Sequence, residues 1–285
     1  NVTFQVPFLK LMLRMSSSPY QKSGDGPALV LVHGWPFHAG SYRKLLPLLE
    51  PHFTCYMVES AGMSDRAAFE GLDMTFAGHA RRLIQLIDEL QLEHVLLLGH
   101  NTGGTIARLA AAELEDRVTK LALLNTEIPN HRPPFIPLYQ KLTHLPGTRQ
   151  IMGALMKRDW YIFSAMGFGG CFHDKRFIDR EFRSLFAEHW FETPTRFRGF
   201  IRYLQCLDFS TLDQLDEVHT RISAPIQFIW GENDITFPCD QGKAMAERIP
   251  QGAGFCAIAD SAFLLHEERP KHVASQLLEF FLPAN

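Results

Sequence analysis

Residues 95–104 read VLLLGHNTGG, an apolar run followed by a segment of mostly small and polar residues. Four large apolar residues in succession are typical of a strand that is buried on both faces of a parallel sheet. Gly99, Gly103 and Gly104 permit a sharp turn from this strand into a tightly packed helix. We therefore predict a strand over 95–98, a turn at Asn101 and a helix over 106–114.

The chain before this turn alternates strands and helices. Apolar runs predict one or two opening strands within residues 4–15 and further strands at 28–32 and 54–58. A helix is predicted at about 41–49. Apolar residues at helical spacing predict another helix over 76–90.

The chain after the turn resumes the same alternation, with predicted strands at 121–124, 226–230 and 255–258 and a closing helix over 267–281. Strands that alternate with helices form right-handed βαβ units and a parallel sheet. The fold class is therefore α/β.

The segment between the two halves has a different composition. Residues 128–215 are rich in Phe, Arg, Pro and His and contain few runs of β-branched residues. We predict that 128–215 form a helical cap inserted into a core made of 1–127 and 216–285.

Composition limits the possible partners and locations. The chain has 285 residues and a net charge of −3, which predicts no nucleic-acid partner and no strong attraction to anionic membranes. Its five scattered cysteines favour free thiols and a cytoplasmic location. No apolar run reaches the roughly 20 residues of a transmembrane segment, and the first residues do not have the pattern of a signal peptide. The sequence does not indicate an oligomeric state.

Five motifs occur in a characteristic order: HGWP at 33–36, SAGMSD at 60–65, GHNTGG at 99–104, WGEND at 230–234 and FLLHEERP at 263–270. Together they resemble the α/β-hydrolase fold, in the branch that holds haloalkane dehalogenases and epoxide hydrolases. The resemblance implies a mostly parallel central sheet flanked by helices, with an inserted helical cap. It also implies hydrolysis of a small, mostly apolar substrate without a cofactor or a metal.

The same resemblance assigns the catalytic positions. The backbone amides of Trp35 and Thr102 would form the oxyanion hole, and Asp234 would be the acid. The nucleophile position, which is normally Asp in this branch, holds Asn101, and the general-base position holds Phe263. A neutral amide is a much weaker nucleophile than a carboxylate, and a phenyl ring accepts no proton.

Several interpretations of these departures stay open. Asn101 is native, is an Asp-to-Asn change made to trap a substrate, or deamidates to Asp; two altered positions favour a native, diverged site. His266 is either a displaced base or a packed residue at a helix start. Asn125 and Glu127 mark a second acid position that some dehalogenases use.

Further residues are candidates for contacts with a substrate, each with a plain structural role as the alternative. They are His38, His100, Tyr161, Trp190, Tyr203 and Phe263. Three functions follow as hypotheses: a hydrolase with an atypical triad; a cofactor-free lyase, isomerase or cyclase; and a catalytically inactive ligand-binding protein.

Overall fold

The computed structural model describes residues 19–63, 69–133 and 135–282. Its centre is a seven-stranded sheet in the order β1-β3-β2-β4-β5-β6-β7. Only β1 runs antiparallel to its neighbour within this described sheet. The strands are β1 (Tyr20–Ser23), β2 (Ala28–Val32), β3 (Thr54–Val58), β4 (Val95–His100), β5 (Val118–Leu124), β6 (Ile226–Gly231) and β7 (Ala253–Ile258).

The sheet confirms the predicted fold class. The predictions for 28–32 and 54–58 agree with the bounds of β2 and β3, and the strands predicted at 95–98, 121–124, 226–230 and 255–258 are each extended by one to three residues at one end. The opening strands predicted within 4–15 lie outside the described residues. The short edge strand β1 was not predicted, because its polar residues YQKS carry no apolar alternation.

The helices before the insertion are α1 (Leu46–Leu49), α2 (Phe76–Glu89) and α3 (Thr102–Leu114), with short 3₁₀ turns at Ala39–Tyr42 and Glu115–Arg117. The single helix predicted at 41–49 was wrong. It is divided into the first 3₁₀ turn and α1, whose second residue is Pro47. Proline has no N–H for an intrahelical bond, so it is tolerated only in the first turn of a helix.

The described chain between β5 and β6 contains helices and no strand. Its helices are α4 (Ile136–Leu142), α5 (Thr148–Met156), α6 (Asp159–Ile162), α7 (Arg180–Phe182), α8 (Pro194–Gln205), α9 (Phe209–Asp213) and α10 (Leu215–Thr220). Short 3₁₀ turns lie at Lys175–Phe177 and His189–Phe191, and a π turn lies at Arg183–Ala187. These helices lie over the carboxyl end of the sheet, where the loops that follow β4, β5 and β6 begin.

The chain closes with α11 (Cys239–Glu247), α12 (Leu265–Glu268) and α13 (Pro270–Phe281). The helix predicted over 267–281 is divided before Pro270, which occupies the first position of α13. Buried apolar residues cover both faces of the sheet, with α2 and α3 on one face and α1 and α13 on the other. No helix among the described residues is long and apolar enough to cross a membrane.

Candidate functional site

The turn between β4 and α3 has the geometry of a nucleophile elbow. Asn101 has φ 53° and ψ −132°, a conformation that is strained for a residue with a side chain. A Cβ atom at Gly103 would lie 2.1 Å from the carbonyl oxygen of Val32, and one at Gly104 would lie 2.3 Å from Oγ1 of Thr126. The turn is therefore held by close approach of neighbouring backbone at Gly103 and of the Thr126 side chain at Gly104, which only glycine permits.

The Asn101 side chain is buried and engaged at this turn. Its Nδ2 donates a hydrogen bond to the carbonyl oxygen of Trp35, in the HGWP loop. Its backbone N–H donates to the carbonyl oxygen of Asn125 at 3.1 Å. The amide therefore presents its nitrogen to a protein acceptor, and the position where a carboxylate would attack a substrate carries no negative charge.

One of the two predicted oxyanion amides is occupied. The Trp35 N–H donates to Oγ1 of Thr102 at 2.9 Å, and this hydroxyl also pairs with the hydroxyl of Tyr203 at 3.0 Å. The Thr102 N–H lies at the start of α3, where a backbone donor has no acceptor within the helix. The Trp35 N–H of the predicted pair is thus already bonded to a hydroxyl of the protein.

Asp234 is buried in the turn that follows β6, and both of its carboxylate oxygens accept hydrogen bonds. Oδ1 accepts from the N–H groups of Thr236 at 2.7 Å and Phe237 at 3.2 Å, and Oδ2 accepts from Nδ2 of Asn125. Burial raises the pKa of Asp234 to about 7, against these hydrogen bonds, which lower it. No histidine is among these partners, so Asp234 orients no imidazole here.

The segment 260–270, which carries the FLLHEERP motif and is termed the histidine loop, places Phe263 in the wall of a cavity. Its carbonyl oxygen accepts from Nε2 of His100 at 3.0 Å, and the two rings lie 4.8 Å apart. His266 is fully buried beside the rings of His100 and Tyr42, and neither of its nitrogens has a hydrogen-bond partner among the described residues. Burial lowers the pKa of His266 well below its ordinary value.

Glu127 follows β5 and is buried in a polar cluster. Its Oε2 accepts from the hydroxyls of Thr105 at 2.8 Å and Thr126 at 3.0 Å. The fully buried Arg108 donates to the Glu127 carbonyl oxygen at 3.0 Å and lies 3.9 Å from Oε2. Burial raises the pKa of Glu127, although Arg108 opposes this shift.

An apolar cavity of about 160 Å³ lies between this edge of the sheet and the insertion helices. Five of the predicted site residues line it: Trp35, Asn101, Thr102, Trp190 and Phe263. Aromatic and aliphatic side chains form most of the remaining wall. The polar contributions besides Asn101 and Thr102 include Glu127, Tyr139 and Thr236.

The other predicted site residues do not line this cavity: His38, His100, Tyr161, Tyr203, Asp234 and His266. His38 instead bonds the insertion, with Nε2 at 3.2 Å from the Leu185 carbonyl oxygen. Tyr203 lies behind Thr102, with its ring tilted by 33° against that of His79 and the ring centroids 4.5 Å apart. The structure thus brings the elbow, the HGWP loop and Phe263 together, and it leaves every predicted histidine behind the wall.

Sequence reasoning missed several residues of the wall. Tyr139 of α4, together with Met152 and Met156 of α5, lines the cavity. The signal was present in the spacing, since Ile136 and Tyr139 are three residues apart and the two methionines are four apart, which places each pair on one helix face.

The sequence shows similarity to known proteins over these same elements. A family model described as the α/β-hydrolase fold matches residues 27–153, which include the HGWP loop and the elbow. The seven-stranded sheet, the elbow and this match agree with one another. The chain has the α/β-hydrolase fold.

Curated relatives of this α/β-hydrolase-fold chain have differing activities. An uncharacterized hydrolase, YugF of Bacillus subtilis, is 25% identical over 268 residues, 92% of each chain. A cis-3-alkyl-4-alkyloxetan-2-one decarboxylase of Shewanella oneidensis is 30% identical over 52% of this chain and 49% of its own length. Haloalkane dehalogenase 2 of Mycobacterium bovis is 32% identical over 38% of this chain and 37% of its own length.

Solved structures share the fold over nearly the whole chain. An α/β-hydrolase-fold protein from Burkholderia ambifaria has a TM-score of 0.76 at 24% identity, covering 91% of this chain and 93% of its own. An epoxide hydrolase has a TM-score of 0.75 at 18% identity over 92% and 93%. An ancestral haloalkane dehalogenase has a TM-score of 0.74 at 20% identity over the same shares. At these identities the likeness concerns the fold alone.

Proposed function

We propose that this chain binds a small, mostly apolar molecule in the cavity above Asn101 and does not pass through an ester intermediate. The observation that carries the proposal is the pairing of an open apolar cavity with an Asn101 amide that donates to the Trp35 carbonyl oxygen. The cavity provides a place for the ligand. The Asn101 amide is a neutral hydrogen-bond donor and does not act as a nucleophile.

Three parts of ester chemistry are missing at once, which supports this proposal. Ester formation needs a charged nucleophile, and Asn101 is a neutral donor. Ester hydrolysis needs a base within hydrogen-bond reach of a water, and Phe263 has no acceptor atom in its side chain. Stabilisation of a developing oxyanion needs free donors, and the Trp35 N–H is bonded to Thr102.

The wall of the cavity indicates the class of ligand. Most of the lining side chains are aromatic or aliphatic, so an apolar body is favoured by transfer out of water. The ring of Trp190 lines the cavity, and its Nε1 is buried without a hydrogen-bond partner among the described residues. A ligand with one polar group, such as an alcohol, an ether or a ketone, suits this combination.

Binding is tested by isothermal titration with a panel of haloalkanes, alkyl epoxides and the matching alcohols, followed by intact-mass measurement and assays for halide and diol. We expect binding, complete recovery of each compound and no adduct. Met152→Trp should abolish binding by filling the cavity, whereas Ile151→Trp, at the exposed neighbouring position, should leave it unchanged. Halide release, diol formation or an adduct in the wild-type protein would overturn the proposal.

A second candidate is a non-hydrolytic proton transfer with Glu127 as the base. It is favoured by a buried carboxylate whose pKa is raised and which lines the cavity. The test is deuterium exchange from solvent into carbon atoms of a bound ketone, followed by mass spectrometry. Glu127→Gln should stop the exchange while the ketone still binds. Exchange that is absent in the wild-type protein removes this candidate.

A further inference from the structure

The two helices that wall the cavity have a second face, and that face is exposed. Leu138 and Leu142 of α4 are 43% and 36% exposed, Leu145 of the following loop is 57% exposed, and Ile151 of α5 is 59% exposed. Trp160 of α6 is 71% exposed. These five exposed apolar side chains fall within 23 consecutive residues, 138–160, and exposed apolar surface of this kind marks an interaction site when it is contiguous.

The same segment is strongly basic. Residues 136–158 contain four Lys or Arg residues and no Asp or Glu, whereas the whole chain has a net charge of −3. Lys141, Lys157 and Arg158 are exposed, and Arg149 is half-buried and donates to the Phe191 carbonyl oxygen at 3.2 Å. The nearest acidic residue in sequence, Asp159, is bonded to Arg183 at 2.7 Å.

We propose that this basic-apolar surface (Leu138, Lys141, Leu142, Leu145, Ile151, Lys157, Arg158 and Trp160) docks on an anionic lipid bilayer. Helices that lie in a membrane interface combine an apolar side with Lys and Arg, and their binding adds apolar burial to attraction for anionic headgroups. Tryptophan is enriched at the headgroup level of membranes.

The charge pattern argues against a second copy of the chain as the occupant. A two-fold dimer places the same patch of each copy against the other. The two copies would then bring their cations into one interface to which residues 136–158 contribute no acidic side chain, and desolvating these unpaired charges costs free energy. An anionic surface meets the cations with opposite charge instead.

Whole-chain charge predicted no strong attraction to anionic membranes, because it averages over a surface that is locally basic. The inner sides of the same helices line the cavity, through Ile136 and Tyr139 of α4 and Met152 and Met156 of α5. A bilayer on the outer surface would therefore lie one helix away from an apolar binding site. The docking inference rests on the outer surface and does not depend on what the cavity binds.

The test is co-sedimentation of the full chain with phosphatidylcholine vesicles, with and without about one third phosphatidylserine. We expect binding to the anionic vesicles, and a roughly thirtyfold weakening in Lys157→Gln/Arg158→Gln at low salt. Leu145→Ser/Ile151→Ser should also weaken it. The control Lys243→Gln/Lys271→Gln removes the same charge from exposed core positions and should change the affinity less than twofold.

Three results would overturn the docking proposal. The first is no binding of the wild-type chain to anionic vesicles, with folding verified by circular dichroism. The second is an equal loss in the control pair, which would indicate unspecific attraction. The third is a dimer, seen by analytical ultracentrifugation, that Leu145→Ser/Ile151→Ser dissociates without any vesicle binding. Titration of the cavity with soluble ligands, without vesicles, tests the proposed function separately.

Discussion

The elbow at 99–104 and the histidine loop at 260–270 both retain their backbone, but they differ in what that backbone presents. The elbow is held by glycines in contact with neighbouring main chain. The histidine loop is held by Glu268, which accepts from the N–H groups of Ala262 at 2.8 Å and Asp174 at 2.9 Å. The side chain at position 263 of this loop is a phenyl ring, which neither donates nor accepts a proton.

The two loops differ in whether the feature expected to serve a reaction is also needed for the stability of the fold. The elbow geometry is required for β4 and α3 to pack, so its loss would cost stability whether or not the site is active. A proton-accepting side chain at position 263 is not required for stability, because the phenyl ring of Phe263 is buried in the cavity wall and stabilises the fold through that burial. Packing therefore accounts for the shape of both loops without reference to a reaction.

The largest expected effect comes from returning both reactive groups. Asn101→Asp/Phe263→His should hydrolyse haloalkanes or epoxides at a rate on the order of a thousandfold or more above the wild-type chain, since a carboxylate attacks carbon and an imidazole activates water. Asn101→Asp alone should accumulate an alkyl ester, because nothing hydrolyses it. The measurements are halide or diol release and intact mass.

Phe263→His alone is the matched control and should form neither adduct nor product. If the double variant binds ligand yet stays inert, then the elbow and the paired Trp35 N–H do not support attack even with both reactive groups present. The fixed backbone of the elbow would then not be sufficient for a reactive site.

The second effect concerns the packing of the elbow. Gly103→Ala should lower the free energy of unfolding by about 3 kcal/mol, because its Cβ would meet the backbone oxygens of Val32 and His33. Gly252→Ala is the control: its φ is 79° and nothing lies within 4 Å, so a cost of about 1 kcal/mol is expected. Urea denaturation measures both. Equal costs would show that packing does not hold the elbow.

The third effect is the pH dependence of stability from the histidines beside the two oxyanion loops. Burial lowers the pKa of His100 to about 3 and that of His33 to about 4. Between pH 6.5 and 4 the unfolded chain binds protons that the folded chain does not, so the free energy of unfolding falls as pH falls. From pH 6.5 to 5 each imidazole should contribute about 2 kcal/mol.

Urea denaturation of His100→Gln across this pH range tests the assignment. The free energy of unfolding of the variant should change less steeply with pH, by the equivalent of about one bound proton, because glutamine does not titrate. The glutamine amide can still donate to the Phe263 carbonyl oxygen. An unchanged slope would mean that His100 is not kept neutral in the folded chain.

The smallest expected effect is on the free energy of unfolding, which should change in opposite directions when His266 and His100 are each replaced by leucine. His266→Leu should raise the free energy of unfolding by about 1 kcal/mol, because two buried nitrogens without partners are replaced by apolar atoms. His100→Leu should lower it, since the Phe263 carbonyl oxygen would lose its donor. A destabilised His266→Leu would indicate a partner for this imidazole, such as an ordered water.

The fold was predictable because it depends on patterns that are local in sequence. The strands over 28–32 and 54–58 are apolar runs bounded by turn residues, and the elbow is marked by its glycines. The division of the helices near Pro47 and Pro270 depends on the missing N–H of proline, a signal that was present but not used.

The site was less predictable, because it depends on side-chain directions and on contacts distant in sequence. The identities of Asn101 and Phe263 were evident, but the bond from the Trp35 N–H to the Thr102 hydroxyl joins residues 67 positions apart. Tyr161 and Tyr203 were equally plausible from composition, whereas Tyr139 is the tyrosine in the wall. The roles assigned to the site residues, the cap boundaries and the cytoplasmic location remain predictions.

The insertion is fastened to the core at several points around the cavity. The Trp35 indole N–H donates to the Phe200 carbonyl oxygen at 3.1 Å, His38 bonds Leu185, and Arg43 bonds Glu181 at 2.6 Å. Hinged separation of the insertion would break these bonds together, so a ligand should enter and leave the cavity while the insertion stays in place on the core.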